Sequence, residues 1–270
     1  MVPVGLSLSG RKVLLTGASG GIGAAIARAV HRRGARLVIS GRRTDALESL
    51  QAELGSDVEL APADLGDRSA VEALVGRAGA IDVLIANAAL PASGRFDSFS
   101  VDEIDRSLDV NLRAPIQLAR ALAPAMAKRG AGHLVFISSL SGKTATGGGS
   151  IYSATKFGIR GFAFALREDL RGSGVGVTTV FPGFISDAGM WADAGLKLPK
   201  GIGLRSPEQV AAAVVRGIER DRAELDVAPV VLRAAGVVSG FAPTLVAGIN
   251  RRLGSEKLSS SLAEQQRAKR

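Results

Sequence analysis

The sequence predicts an α/β protein built on a doubly wound parallel sheet, one domain with a C-terminal helical extension. Short aliphatic and β-branched runs alternate with helical segments along most of the chain. A glycine turn joins the first such run to an Ala-rich helix. Polar residues suited to binding and catalysis recur just after the runs, at the strand ends where an open parallel sheet gathers its ligands.

KVLLT reads as the first strand, followed by a turn and a helix through AAIARAVHRRG. Gly17, Gly21 and Gly23 give the spacing G-x-x-x-G-x-G. Gly17 permits the tight turn, and Gly21 and Gly23 let the backbone approach a pyrophosphate at the helix N-terminus. The spacing is neither G-x-G-x-x-G nor a P-loop, which ends in Lys-Ser/Thr. ARLVIS is the second strand, followed by Ser40, Gly41, Arg42 and Arg43. An NAD-binding fold places an acid there, on the ribose hydroxyls; two guanidiniums suit a 2′-phosphate instead. The alternative is a solvated pair at a helix start. VELAPAD is the third strand, with Asp64 and Leu65 at its end, and IDVLIAN the fourth, ending in Asn87-Ala88-Ala89.

Ser100 and Glu103 form a capping box that opens one long helix through about Arg129, with Asn111 inside it. Taken alone, Asn111 reads as structural. HLVFI ends in Ser138 and Ser139, and VGVTTVFPG is a sixth strand broken by Pro182-Gly183. Residues 184–204 lack periodicity and are expected to form a substrate lid with Met190 and Trp191 as apolar contacts. Ser206 and Gln209 cap a further helix, and AELDVAP is the last strand. The domain is expected over 1–225, with 226–270 as strand, apolar helical extension and polar tail. The apolar run 227–249 contains Arg233, Pro229 and Pro243, which argues against a spanning helix. Helices packed on the domain or across a subunit interface are expected there. Peripheral membrane contact aided by Arg251, Arg252 and Lys257 is the alternative.

Tyr152 and Lys156 stand four apart in a segment with helical apolar spacing, so both face one way. A phenol is a poor base, with a reference pKa of about 10. A neighbouring ammonium is expected to pull it toward neutrality. Ser138 or Ser139 offers a hydroxyl for a substrate oxygen that the phenol also reaches. Tyr152 is the only tyrosine, but Tyr-x-x-x-Lys alone also describes an exposed helical pair.

Composition narrows the classes. The 270 residues hold no cysteine, which excludes disulfides and thiolate metal sites, and only His31 and His133, which makes a histidine triad or metal site improbable. No metal is expected. The net charge of +9 attracts phosphates, but no aromatic-studded basic stripe supports nucleic-acid binding. A polar, short N-terminal stretch and the lack of cysteine fit a cytoplasmic protein.

TGASGGIG (16–23), ADL (63–65), NAA (87–89), Asn111, Ser139, YSATK (152–156) and PG (182–183) occur in order. Jointly they resemble the short-chain dehydrogenase/reductase family, in its single-domain, Rossmann-fold branch. The resemblance covers about residues 10–225 and implies an NADP(H)-dependent alcohol dehydrogenase or carbonyl reductase, with NADP(H) favoured over NAD(H). It implies Tyr152 as acid/base, Lys156 lowering its pKa and holding the nicotinamide ribose, Ser139 polarising the substrate oxygen, and Asn111 supporting a water relay to Lys156. Cofactor contacts carried over with it are Gly17, Ser19, Gly21, Ile22, Gly23, Arg42, Arg43, Asp64, Leu65, Asn87, Ala88, Tyr152, Lys156, Pro182, Gly183 and Ile185. NAA stands where the family often has NAG, and Ile185-Ser186 stands near a position where many members carry threonine. The apolar C-terminal ending is similar to those of lipid- or steroid-handling members. A small-molecule alcohol or carbonyl substrate and a homo-oligomer, dimer or tetramer, are the partners implied. A cofactor-binding regulator without turnover, or another reaction type on the same fold, are the competing readings.

Overall fold

A computed structural model of the protein describes residues 5–187, 203–252, 261, 264 and 265. The strands are β1 (Lys12–Thr16), β2 (Arg36–Ser40), β3 (Glu59–Leu60), β4 (Val83–Ala86), β5 (Gly132–Ile137), β6 (Val175–Pro182) and β7 (Glu224–Val227). Among the described residues they form one sheet in the order β3-β2-β1-β4-β5-β6-β7, every pair parallel. The chain runs outward from β1 to β3, then returns to β4 on the other side of β1. That reversal creates a crevice at the carboxyl ends of β1 and β4.

Alternation along the strands sorts the core into two layers. Val13, Leu15, Leu37, Ile39, Ile85, Val135 and Val180 face one side. There they meet Ile26 and Val30 of α1 (Gly21–His31) and Val210, Val214 and Ile218 of α7 (Pro207–Arg220). Leu14, Val38, Leu84, Leu134, Phe136 and Val177 face the other. They meet α3 (Arg68–Ala78), α5 (Ala114–Arg129) and α6 (Ser150–Asp169). Burial on both faces explains why the strands are continuous apolar runs rather than alternating ones.

Both expected capping boxes form, at Ser100/Glu103 and Ser206/Gln209. Two expectations need correction. The single helix through Arg129 is α4 (Val101–Leu108), a π-helical turn (Asp109–Arg113) and then α5. The third strand is only two residues long, although Ala61 N–H still donates to the Ile39 carbonyl at 2.9 Å and Ala63 N–H to the Gly41 carbonyl at 3.2 Å, with Pro62 at the intervening position, where an edge strand needs no donor. Beyond β7 come α8 (Val230–Phe241) and α9 (Pro243–Arg252). The start of the segment 184–204 pairs with the residue just past its end: Arg205 N–H donates to the Phe184 carbonyl at 3.0 Å and Ser186 N–H to the Arg205 carbonyl at 2.8 Å. Its middle, with Met190 and Trp191, lies outside the described residues.

Candidate active site

The turn after β1 is built around the lack of side chains. Gly17 has φ +68°, and a Cβ there would stand 2.7 Å from the Ala88 Cα. A Cβ on Gly23 would fall 2.1 Å from the Gly17 carbonyl oxygen. Asn87 seals the crevice from β4, donating through Nδ2 to the carbonyls of Thr16 and Gly17, both at 3.1 Å. Thr16, which opens the TGASGGIG motif but carries no expected contact, accepts at Oγ1 from the N–H groups of Asn87 and Ala88 at 3.1 and 3.2 Å. Helix α1 has Gly20 at its N-cap, no side-chain cap and no acid in its first turn. Its first N–H groups and dipole therefore face the crevice, as a diphosphate requires.

At the end of β2, a Cβ on Gly41 would lie 2.7 Å from the Ser19 Oγ, so the backbone passes close to the glycine turn. The Arg43 guanidinium donates to the Ser19 carbonyl. Arg42 is exposed beside it. The Ser40 hydroxyl is buried without a hydrogen-bond partner, an orphaned polar group next to the same crevice. Asp64 accepts from Arg106 at 2.8 Å and from the Gly66 N–H at 2.9 Å. Burial pushes its carboxyl up, but those bonds outweigh it and hold it below the usual range. This donor set and glycine cradle fit a phosphorylated dinucleotide.

The catalytic set gathers at the end of β5. Ser138, buried, donates to the Lys156 carbonyl at 3.0 Å and ties α6 to the strand. Gly142 makes this approach possible, since a Cβ there would lie 2.6 Å from the same carbonyl oxygen. Ser139 caps the short 3₁₀ turn Leu140–Gly142, its Oγ accepting from the Ser141 N–H at 3.1 Å, and lies near enough to the Tyr152 hydroxyl to pull its pKa down. Lys156, 3% exposed, donates to the Ile137 carbonyl at 3.1 Å, with Nζ 5.5 Å from the Tyr152 ring centre. Burial pushes the Tyr152 phenol up to about 12, against a lowering pull from Ser139. It also brings the Lys156 ammonium down to about 8. The expectation that the ammonium drags the phenol toward neutrality is corrected: burial raises the phenol, and the one group that lowers it is Ser139, not Lys156.

Asn111 sits in the π-helical turn, a feature that often marks functional positions. Its Oδ1 accepts from the Leu90 N–H at 2.7 Å and its Nδ2 donates to the Leu90 carbonyl at 2.9 Å. The side chain thus fixes the strand-end loop. Gly183 N–H donates to the Val227 carbonyl at 3.0 Å, and Ile185 is buried and bridged to Arg205. These place the chain after Pro182 beside the set. Outside the expected residues lies Lys143, 9% exposed, whose Nζ meets Asp226 at 2.7 Å and Glu224 at 3.0 Å, 4.0 Å above the Phe181 ring. Lys143 falls in a glycine-rich stretch with no helical or strand period, so sequence spacing gave no sign of it.

The strand order and the crevice between β1 and β4 define a nucleotide-binding protein of Rossmann type. The chain belongs to the short chain dehydrogenase family, which matches residues 11–198, and is an oxidoreductase of that family. The ketoacyl reductase HetN of Nostoc sp. is 39% identical over 227 residues, spanning 81% of this chain and 79% of the relative. Nodulation protein G of Rhizobium sp. (strain N33) is 42% identical over 185 residues, 67% of this chain and 76% of its own. Among solved structures, a short-chain dehydrogenase from Sphingobium yanoikuyae in complex with NADPH superposes with a TM-score of 0.77. It is 32% identical, with 87% of this chain and 94% of that one covered.

Proposed function

We propose that this oxidoreductase moves a hydride between NADP(H) and a secondary alcohol or ketone, with Tyr152 as the acid/base and an apolar, lipid-like substrate class. The carrying observation is the convergence of Tyr152, Ser139 and Lys156 in one corner, Lys156 buried and the two hydroxyl residues half-buried. When bound, the nicotinamide supplies or accepts the hydride. In reduction the Tyr152 hydroxyl gives its proton to the carbonyl oxygen while hydride adds to the carbon, so C=O becomes CH–OH. In oxidation the phenolate takes the hydroxyl proton back. Ser139 donates to the same oxygen and fixes its approach. Lys156 would hold the ribose hydroxyls of the cofactor. Asn111 keeps Leu90 in place and would support a water relay to Lys156. The names of the relatives, a ketoacyl reductase and an NADPH complex, support the substrate and cofactor readings. Exposed Phe157 and Phe164 on α6 support self-association.

The cofactor preference rests on Arg42. No acid stands between Ser40 and Arg43 to repel a 2′-phosphate, and Arg43 is already engaged with the glycine turn. A charge-assisted bond of about 1.5–3 kcal/mol gives roughly ten- to hundredfold discrimination. Comparing kcat/KM for NADPH and NADH should show preference for NADPH in the wild type and loss of most of it in Arg42→Ala. A wild type that prefers NADH, or a variant that discriminates as well as its parent, refutes the assignment.

A further inference from the structure

Seven of the twelve large apolar side chains exposed among the described residues lie between Val230 and Ile249. Along α8, Val230, Ala234, Val237 and Phe241 follow the spacing i, i+4, i+7, i+11, and all four are exposed. Val231 and Val238 flank that stripe. The opposite face does the packing. Gly236 is buried against Lys143, and Leu232 meets Leu140, Phe181 and Ala228. In α9, Val246 is buried while Leu245 and Ile249, four apart, are exposed. A shallow groove of about 310 Å³ runs beside them, edged by Arg251 and Arg252. The outward side of the hairpin is therefore apolar over both helices, with Phe241 89% exposed at the bend.

Its charge is one-sided. From Val227 to Arg252 there are three arginines and no acid. We infer that the α8–α9 hairpin is a membrane-surface contact whose partner is a bilayer containing anionic phospholipid. The helices, of 12 and 10 residues, are far short of the roughly 20 needed to cross a bilayer. Their apolar stripe and terminal arginines match a hairpin lying in the interface, with aliphatic side chains and Phe241 among the acyl chains and guanidiniums at the phosphates. A symmetric contact with a second copy fits less well. It would bring Arg251 and Arg252 of two chains together with no acid in the segment to neutralise them, Arg233 alone having Asp226 at 4.0 Å.

Sedimentation of the full chain with vesicles tests this, using phosphatidylcholine alone against phosphatidylcholine with phosphatidylglycerol. The wild type should partition at least about tenfold better into the anionic vesicles, and 1 M salt should reverse most of that gain. Arg251→Gln/Arg252→Gln should weaken binding about thirtyfold, and Phe241→Ser/Leu245→Ser at least about tenfold. Thermal unfolding of each variant checks that the domain is intact, and the arginine pair, being exposed, keeps the test valid if the apolar variant misfolds. No binding to anionic vesicles, equal binding to both compositions, or binding unchanged in the arginine variant overturns the inference. So does a lipid-free oligomer that Phe241→Ser/Leu245→Ser dissociates while vesicle binding persists, which would assign the face to a second copy.

Discussion

At the scale of single residues, the pocket drives both members of the Tyr152–Lys156 pair toward neutrality. The phenol, raised to about 12, is protonated throughout the neutral range, so it is ready to donate and poor at accepting. The Lys156 ammonium, lowered to about 8, is charged below that pH and increasingly neutral above it. Reduction should therefore hold level from about pH 6 to 7 and decline above about pH 8 as the ammonium is lost. Oxidation needs the scarce phenolate and should climb about tenfold per pH unit between about pH 6 and 8. Steady-state profiles of kcat/KM in both directions check this, and an oxidation rate flat across that interval would contradict it.

At the scale of elements, the loop between Ser139 and Tyr152 is held by the edge strand of the sheet. Lys143 projects from it to Glu224 and Asp226 of β7, and Arg160 of α6 meets Glu224 at 2.8 Å. Burial pushes the Glu224 carboxyl up, but the bonds from Arg160 and Lys143 outweigh it and hold the group below its usual range. Removing the ammonium leaves Asp226 little exposed, with Arg233 only at 4.0 Å. Lys143→Met should cost roughly 3 kcal/mol in urea unfolding, and Lys143→Met/Asp226→Leu should recover part of it, since a buried pair replaced whole is far less costly than one broken. A double variant that loses as much as Lys143→Met and Asp226→Leu added together would show that the pair is not coupled.

The same elements show what the sequence could reveal. Apolar runs buried on both faces, two capping boxes and the glycine turn are local patterns, and each appears where expected. The break at Asn111 was hidden, because α4 and α5 keep one continuous apolar period and only the tertiary bond to Leu90 reveals the π turn. Desolvation at Tyr152 was also hidden, since it depends on what folds over the ring. Lys143 could not be read because its partners are some 80 positions distant (|i−j|=83 to Asp226).

At the scale of the whole molecule, one buried histidine should govern acid stability. His133 on β5 is enclosed, with Nε2 2.8 Å from the Thr178 hydroxyl, and burial lowers it from 6.5 to about 4. The folded state thus binds fewer protons than the unfolded chain between those values. The stability conferred is full above about pH 6.5 and is lost as pH falls toward about 4, on the order of 3 kcal/mol. Denaturant titrations across that range should show the loss in the wild type and a shallower slope in His133→Gln. An equal slope would place the acid sensitivity elsewhere.

The central claim is that Tyr152 transfers the proton. Single-turnover and steady-state kinetics of Tyr152→Phe, beside its cofactor affinity, test it most directly. Only a hydroxyl is removed, so the affinity for NADPH should stay within about twofold while kcat falls at least about a thousandfold, some 4 kcal/mol in barrier. Retention of more than about a tenth of wild-type kcat, a loss under roughly 1.4 kcal/mol, would contradict the account.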